Sequence, residues 1–434
     1  MVTARAAALH ALVALDRGRS DRLRAVLDEV PLAPRERSLA NELAHGVLRR
    51  ERLLDFVLDG LAHRGLPKDP RLRAALRLGA YQVLFVAGVP AHAAVHETVA
   101  LVRNNKGFAN ALLRRLAERV QPRAADPAAP TTELVLRADR SLELPKPLPA
   151  DDVERLAIVH SLPGSLLQRW RQRFTGDELR QIAEAASAVP GVFLRVSAGR
   201  DREALRAALG AAGVACEPVD HPRLLRWVGG SSPFASAAFR GGQFVVQDPT
   251  ALAAAEAVPC GAGSTVVDLC AAPGTKTTLI AERVRPGGRV FAFDPDPARR
   301  ARIAENVARL GLEDPVCIVD DFGALPLADA VLADVPCSNT GVLGRRVEVR
   351  RRLATTTFTS LAALQRELLA RAIELTRPGG AVVYSTCSID REENEEVVAA
   401  VSASLCAVEH TRLTLPLAGA HDGGFVAVLR RRAP

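Results

Sequence analysis

The chain has 434 residues, too many for one compact core, so two or three domains are expected. Apolar residues make up 48% and charged residues 24%, the balance of a soluble globular protein, and a net charge of +8 favours a polyanionic partner without naming one. Seven cysteines (216, 260, 270, 317, 337, 387 and 406) are scattered, odd in number and never spaced as CxxC, which argues against a disulfide framework or a structural zinc site and for a reducing compartment.

Residues 1 to about 120 read as all helix: Leu9, Leu12, Val13 and Leu15 recur at helical spacing, then Leu53, Leu54, Val57, Leu58 and Leu61, then Leu76, Leu78, Val83 and Leu84. The opening stretch reads as an amphipathic helix rather than a signal peptide, because His10 interrupts its apolar run and Asp16-Arg17 follow it. The most apolar stretch, around 78–95, is broken by Gln82, Pro90 and His92, so no membrane span is expected and a cytoplasmic location is. Residues 121–150 are rich in Pro and Ala and read as a linker, with a short strand at Leu134-Val135-Leu136.

Residues 151–250 read as a small α+β module, with helices over 164–174 and 176–187, a strand over Val192–Val196 and a helix over Asp201–Ala212. A last domain covers 251–434. Its apolar strands fall at Thr265–Leu269, Arg289–Phe293, Val316–Val319, Ala330–Ala333 and Ala381–Tyr384, with helices between most of them, which predicts an open parallel sheet covered by helices.

Ligands of such a sheet bind beyond the carboxyl ends of its strands. The first strand ends in Asp268-Leu-Cys-Ala-Ala-Pro-Gly274, the second at Asp294, the third at Asp320-Asp321, the fourth at Asp334 and the fifth at Ser385-Thr386-Cys387. One Asp at a strand end is usually a helix cap, but four along one sheet edge are hard to explain by capping alone. The first loop has neither GxGxxG nor GxxxxGKT, which disfavours a dinucleotide or a triphosphate. A carboxylate after the second strand suits a ribose diol, and Asp321 could accept from an adenine amino group. Adenosine without phosphates points to S-adenosylmethionine. A scaffold that binds no nucleotide is the bland alternative, and nothing in the sequence suggests a metal.

Three runs in this region carry a resemblance: Asp268-Leu-Cys-Ala-Ala-Pro-Gly-Thr-Lys-Thr277, Ala333-Asp-Val-Pro-Cys-Ser-Asn-Thr-Gly341, and Tyr384-Ser-Thr-Cys-Ser-Ile389 followed by Glu392, Glu393 and Asn394. In combination they resemble the RsmB/NOP/Sun family of RNA cytosine-5 methyltransferases. The resemblance implies an α/β Rossmann-like domain in which Cys270, Ala271, Ala272, Pro273, Gly274, Thr275 and Lys276 cradle the methionine part of S-adenosylmethionine. It further implies that Asp294 holds the ribose, that Asp321 contacts the adenine, and that Asp334 and Lys276 lie beside the target base, with Asp334 also near the cofactor. Two positions depart from the pattern: Thr275 stands where the family usually has Gly, and Asp422-Gly-Gly-Phe425 where it usually has Asp-Gly-Phe-Phe.

The implied chemistry needs two thiols. C5 of cytosine is a poor nucleophile until a thiolate adds at C6. By the resemblance Cys387 is that nucleophile, Asp334 binds the base edge at N3 and N4, and Cys337 assists loss of the C5 proton and release of the enzyme. A DNA cytosine methyltransferase would use the Pro-Cys thiol instead, and an amino-methyltransferase would carry Asp/Asn-Pro-Pro-Tyr where Asp334-Val-Pro-Cys337 stands.

The N-terminal region resembles the all-α NusB-like domain of bacterial 16S rRNA members, through Val89-Pro-Ala-His-Ala-Ala-Val-His-Glu97, Lys106-Gly-Phe-Ala-Asn110 and Leu112-Leu-Arg-Arg115. Its arginines, among them Arg17, Arg19, Arg22, Arg24, Arg35, Arg37, Arg49, Arg50, Arg52, Arg114 and Arg115, could follow a phosphate backbone or simply be solvated. The middle segment matches the family's linker module through Ser161-Leu-Pro163, Trp170, Leu194-Arg-Val196 and Gln247-Asp-Pro249. The three-part layout implies small-subunit rRNA rather than tRNA as the substrate, and a monomer without an obligatory protein partner is expected. The alternatives are the same chemistry on another RNA, or an rRNA-binding adaptor with impaired catalysis.

Overall fold

A computed structural model describes residues 2–122, 131–353, 355–402 and 405–433. The chain divides into two compact units, Met1–Ala188 with Arg346–Arg352, and Val189–Arg345 with Leu353–Pro434.

The first unit opens with helices Ala4–Asp16, Leu23–Asp28, Pro34–Arg49, Glu51–Leu61, Pro70–Phe85, Ala91–Leu101 and Lys106–Glu118. Local chemistry sets their starts. Thr3 accepts from the Ala6 N–H, and Asp69 accepts from the N–H groups of Arg71 and Leu72 just before Pro70. The leucines at helical spacing form the core, with Leu9, Leu12, Leu53, Leu54, Leu76 and Leu78 all buried. Gly46 lets the Tyr81 ring approach its helix closely, because a Cβ there would stand 2.0 Å from Tyr81 Cζ.

Two sequence expectations need correction here. Residues 121–150 are more than a linker. Residues 123–130 lie outside the described ones, but Val120–Gln121, Glu133–Arg137 and Arg140–Glu143 form a three-stranded sheet, and Leu142, Leu144 and Leu148 are buried in the helical core. The expected strand at 134–136 is part of it. The stretch 151–250 is not one module either, since its helices Asp152–Val159, Gly164–Arg171 and Gly176–Ser187 belong to the first unit. The reason is hydrogen bonding. Ser161 Oγ accepts from the N–H groups of Arg52 (3.1 Å) and Leu53 (3.3 Å). The buried guanidinium of Arg350, from far along the chain, donates to the carbonyls of Arg49 (3.1 Å), Ser161 (3.0 Å) and Ala186 (2.8 Å). Val347, three residues earlier, is fully buried in the same helical core.

Some of the arginines offered for RNA are committed inside this unit. Arg37 donates to the carbonyls of Leu27 (3.1 Å) and Val30 (3.0 Å), Arg49 is buried, and Arg50 lies over the Phe85 ring, 5.2 Å from its centroid.

The second unit begins with an antiparallel sheet ordered Val214–Pro218, Leu224–Gly230, Val192–Val196, Phe244–Val246, on which helix Arg202–Ala211 packs through Leu205 and Leu209. A seven-stranded sheet follows: β1 Thr265–Asp268, β2 Arg289–Phe293, β3 Val316–Val319, β4 Ala328–Asp334, β5 Thr376–Thr386, β6 Cys406–Thr414 and β7 Gly424–Arg431, in the order β3-β2-β1-β4-β5-β7-β6. The first five are mutually parallel, whereas β7 runs antiparallel between β5 and β6, so the expected parallel sheet carries two further strands. Strand β6 is an edge with Glu409, His410 and Arg412 among its exposed residues, so it lacks the apolar alternation that reveals a strand. The apolar run of β7 is too short for its period to decide between strand and buried helix.

Helices α1 (Thr275–Val284) and α2 (Pro297–Leu310) cover one face through Ile280, Ile303 and Val307. Helices α3 (Thr355–Glu374) and α4 (Glu395–Ser402) cover the other through Leu369, Ile373 and Val397. Neighbouring residues of one strand feed opposite cores, as Val266 and Val267 do. The strand order reverses between β1 and β4, which opens a crevice at their carboxyl ends. No described helix is long and apolar enough to cross a membrane.

The Arg350 anchor makes a first test. Arg350→Ala should strip buried carbonyls of their donor and destabilise the protein by about 2–4 kcal/mol, since each orphaned polar group costs about 1–3. Chemical denaturation measures this, and a loss below about 1 kcal/mol would mean that the anchor holds nothing.

Candidate active site

The loop after β1 turns the chain sharply into α1. The Gly274 N–H reaches the Ala271 carbonyl at 2.6 Å, and Gly274 takes a left-handed φ of 94° with Ile303 packed against it, where a Cβ would sit 3.2 Å from Ile303 Cγ2. The left-handed residue is thus Gly274 and not Thr275, so the Cβ of Thr275 is carried without backbone strain. Helix α1 is held from behind by Arg195 of the small antiparallel sheet. Its buried guanidinium donates to Gln247 Oε1 (2.7 Å), the Thr275 carbonyl (3.0 Å) and Thr278 Oγ1 (3.0 Å). Arg195 and, through it, Gln247 of the two quoted motifs are therefore supports of this helix.

The β4–β5 pairing brings the thiols together. Asp334 stands opposite Ser385 in register, and beyond them Cys337 Sγ lies 3.2 Å from Cys387 Sγ. The two loops grip each other through backbone: the Gly341 N–H donates to the Cys387 carbonyl (2.9 Å), and the Gly423 N–H to the Gly341 carbonyl (2.8 Å). Gly341 is needed for this approach, since a Cβ there would meet Gly423 O at 2.6 Å and Cys387 O at 2.8 Å. Buried polar groups brace the loops from beneath. Glu393 accepts from the Ser338 N–H (2.8 Å), the Ser338 hydroxyl and Gln365 Nε2 (2.9 Å), and Thr386 Oγ1 donates to Asn394 Oδ1 (2.6 Å). Glu393 and Asn394 are thus structural members of their motif.

Charge at the crevice is arranged around Asp334. One of its oxygens accepts from Lys276 Nζ and the other from Ser385 Oγ, both at 2.5 Å. Burial alone would lower the Lys276 pKa, but the charge of Asp334 outweighs it and holds the ammonium above its ordinary value. Asp268 is fully buried at the end of β1. Burial, helped by the nearby Asp334 charge and opposed by the Thr277 hydroxyl donating at 2.7 Å, pushes its carboxyl up to about 7. The hydrogen bond with Cys387, together with burial, raises the Cys337 thiol well above its ordinary value. Burial and the surrounding carboxylates raise that of Cys270 as well.

Cys387, Lys276 and Asp334 line one cleft, with Thr250, Arg412 and Gly424 among its other walls. Gly424 cannot carry a side chain here, because a Cβ would stand 2.7 Å from the Thr386 carbonyl oxygen. Asp294, at the end of β2, is buried beside Arg299, 3.2 Å away. Asp321 is exposed and caps its own turn, accepting from the Gly323 N–H at 3.0 Å. Sequence reasoning missed Ser385 as a partner of Asp334, Asn339 between the two cysteines, and a cluster in which Arg345 joins Asp248 and Asp422. Ser385 and Asn339 sit inside motifs already quoted, and their polar side chains flanking a cysteine were the available signal.

Comparison with known proteins gives the site a family. Residues 258–425 match the model of the 16S rRNA methyltransferase RsmB/F family, and residues 2–118 match the NusB family. The chain is 34% identical over 412 residues to ribosomal RNA small subunit methyltransferase B of Sodalis glossinidius, covering 90% of this chain and 86% of that one. To the protein of the same name from Vibrio cholerae it is 31% identical over 458 residues, covering 99% and 97%. The chain belongs to the RsmB family. Its fold matches the crystal structure of PH0851 with a TM-score of 0.73 and 25% identity, over 99% of each chain. This family member is an S-adenosylmethionine-dependent methyltransferase, and the crevice fits that donor. Asp294 Oδ2 is buried and makes no hydrogen bond among the described residues, with the Arg299 guanidinium 3.2 Å away as its ion partner, and the turn at Gly274 presents backbone without a side chain.

The Asp268 carboxyl gives a test with a sign. A folded pKa raised from 3.8 to about 7 contributes stability that is whole below pH about 4 and is lost as pH rises toward 7. Asp268→Asn mimics the protonated form and keeps an acceptor for Thr277. The variant should therefore gain stability relative to the parent between pH 5 and 8, measured by denaturation at each pH. A constant difference across that range would show that Asp268 does not titrate there.

Proposed function

We propose that this protein methylates C5 of a cytidine in 16S rRNA, with Cys387 as the nucleophile. One observation carries the reading: two thiols 3.2 Å apart at the ends of adjacent strands, beside the Lys276–Asp334 pair in one cleft. The relatives named above are small-subunit rRNA methyltransferases, which supports that substrate over another RNA and, with it, a cytoplasmic site of action. We assign RNA binding to the helical region 1–120 and to residues 151–250, and catalysis to 251–434.

When bound, S-adenosylmethionine supplies an electrophilic methyl group. Cys270 to Lys276 would hold its methionine part, Asp294 the ribose diol and Asp321 the adenine, with Asp334 near the methyl. The Cys387 thiolate adds at C6, and the C5–C6 π pair makes C5 nucleophilic. Cys387 suits this role because it faces the cleft, whereas Cys337 is buried and kept protonated by its neighbours. Asp334, its carboxylate plane fixed by Lys276 and Ser385, retains lone pairs that accept from the N4 amino group and, once N3 is protonated, from N3–H. After methylation the C5 proton is lost to solvent, the C5–H electron pair reforms the C5–C6 bond and the Cys387 thiolate leaves; Cys337, 3.2 Å from that sulfur, assists by donating its S–H to it. Intact thiols, Lys276 and Asp334 speak against an adaptor without catalysis.

The two thiols should separate cleanly. Cys337→Ala should attack and methylate, then stall as an RNA–protein band that survives denaturing gels and requires the methyl donor. Cys387→Ala and the double variant should give no band. A band in Cys387→Ala would exchange the roles. Bisulfite sequencing of 16S rRNA from a deletion strain should lose one protected cytidine, and a loss in tRNA instead would move the substrate.

Asp294→Ala should raise the donor's dissociation constant roughly 10-fold or more, since hydrogen bonds to a charged group contribute about 1.5–3 kcal/mol. Calorimetry checks this, and unchanged affinity would reject the ribose assignment.

A further inference from the structure

We propose that Arg412 holds an RNA phosphate at the mouth of the active-site cleft, so that the target nucleotide is gripped at its base by Asp334 and at its backbone by this guanidinium. The function proposed above is what identifies the anion as RNA. The ground for the contact is one row of residues across the sheet. Asp334 of β4 is in register with Ser385 of β5, Ser385 with Val426 of β7, and Val426 with Arg412 of β6. Residues in register on neighbouring strands project to the same face of a sheet. The other members show which face it is: Ser385 Oγ donates to Asp334, which accepts Lys276 of α1, and Val426 shares a core with Ile280 of α1. Arg412 therefore belongs to the face of the sheet that carries the site, although β6 is the sheet's exposed edge. All four residues of the row line the cleft that holds Cys387.

The charges of the cleft single out Arg412. Lys276 is paired with Asp334, and Asp248 and Asp422 are both held by Arg345. Arg412 is exposed and makes no ion pair or side-chain hydrogen bond among the described residues. A guanidinium fork matches two oxygens of a phosphate, and the cleft holds no carboxylate paired with this one. Thr414, two residues further along the same face, lines the cleft as well, and its partner in register, Gly424, puts no side chain into it.

Two anions could approach this site, the phosphate of the RNA and the carboxylate of the methyl donor, and strand spacing decides between them. Neighbouring strands lie about 4.8 Å apart, so β6 stands about 10 Å from β5, which ends at the nucleophile, and about 19 Å from β1, whose loop is assigned to the donor's methionine part. Of that loop, Cys270 to Lys276, only Lys276 lines the cleft. The donor's carboxylate is thus too far away, whereas a nucleotide with its base between Asp334 and Cys387 brings its own phosphate toward β6.

The test uses the full chain and transcribed 16S rRNA, with equilibrium binding measured over a range of KCl. Arg412 is exposed and holds no other side chain, so Arg412→Gln removes the charge and leaves the fold in place. Loss of one phosphate contact should lower the slope of log affinity against log salt by about 0.7–0.9. Affinity at low salt should fall roughly 3- to 10-fold. Arg412→Lys keeps the charge and should keep the parent's slope. In methylation, Arg412→Gln should raise KM for the RNA by a factor similar to the loss of affinity and keep kcat, as expected when binding is lost equally from ground and transition states. Donor affinity, read by calorimetry, should not change. A weakened donor would give Arg412 to the donor's carboxylate and overturn the proposal. Parent-like slope and affinity in Arg412→Gln overturn it too, and would leave Arg412 as a charge that keeps an edge strand from pairing. The binding measurement needs no turnover. A slope lowered by Arg412→Gln, in a protein that methylates no cytidine of 16S rRNA, would overturn the proposed function and leave the phosphate contact standing.

Discussion

Everything in the active site depends on the parallel pairing of β4 with β5. Because Asp334 is in register with Ser385, the residues that follow leave the sheet side by side, and Cys337 and Cys387 meet. A one-residue slip would exchange the faces of the whole strand and send its buried side chains to the wrong core. The register is secured by apolar residues alternating between the two helix layers, with Val331 and Val382 on one side and Leu332 and Val383 on the other. Thus the same aliphatic packing that stabilises the sheet also sets the distance between two sulfurs.

The crevice is held by buried polar groups, several of which pair with one another. Lys276 and Asp334 neutralise each other at 2.5 Å, and Glu393 collects donors from two segments. Buried pairs of this kind add little net stability, because the desolvation of both charges offsets their attraction. Their effect is on geometry, since a half-satisfied network is costly and only the native arrangement satisfies every member. Asp268 goes further. It keeps a buried oxygen with no hydrogen-bond partner among the described residues, and its burial is what raises its proton affinity.

The seven-stranded sheet was largely legible because its first five strands are apolar runs, separated by helices and ended by carboxylates. Strands β6 and β7 were not, for the physical reasons of edge exposure and shortness given above. The thiols, Lys276 and Asp334 could be placed from motif context, but their partners could not, since Ser385 and Asn339 acquire meaning only when two distant loops are brought to hydrogen-bond distance. Arg195 was quoted as part of a motif and yet its contact with the Thr275 carbonyl was invisible. The division of 151–250 was the larger miss. Composition changes little at residue 188, and what assigns 152–187 to the first unit is a set of backbone acceptors filled by Ser161 and Arg350.

That division changes what a truncation means. The helical region matching the NusB family ends near residue 118, but the unit it belongs to runs to Ala188 and includes Arg346–Arg352. Removing residues 1–120 would take away the Arg49 carbonyl that receives Arg350, the core around Val347, and the Asp16 and Glu51 carboxylates that pair with Arg351. The remaining segment would keep Arg350 with the Arg49 carbonyl missing from its acceptors, while those of Ser161 and Ala186 stay. Arg345, the last residue before that segment, is held by Asp248 at 3.0 Å and by Asp422 at 2.5 Å, both of which line the cleft beside Cys387. A truncated chain with weakened activity would therefore report damage to the rest of the first unit as well as the loss of the RNA contacts proposed for it. Point substitutions of exposed arginines such as Arg17 or Arg19, which leave Arg350 and Val347 in place, separate the two effects.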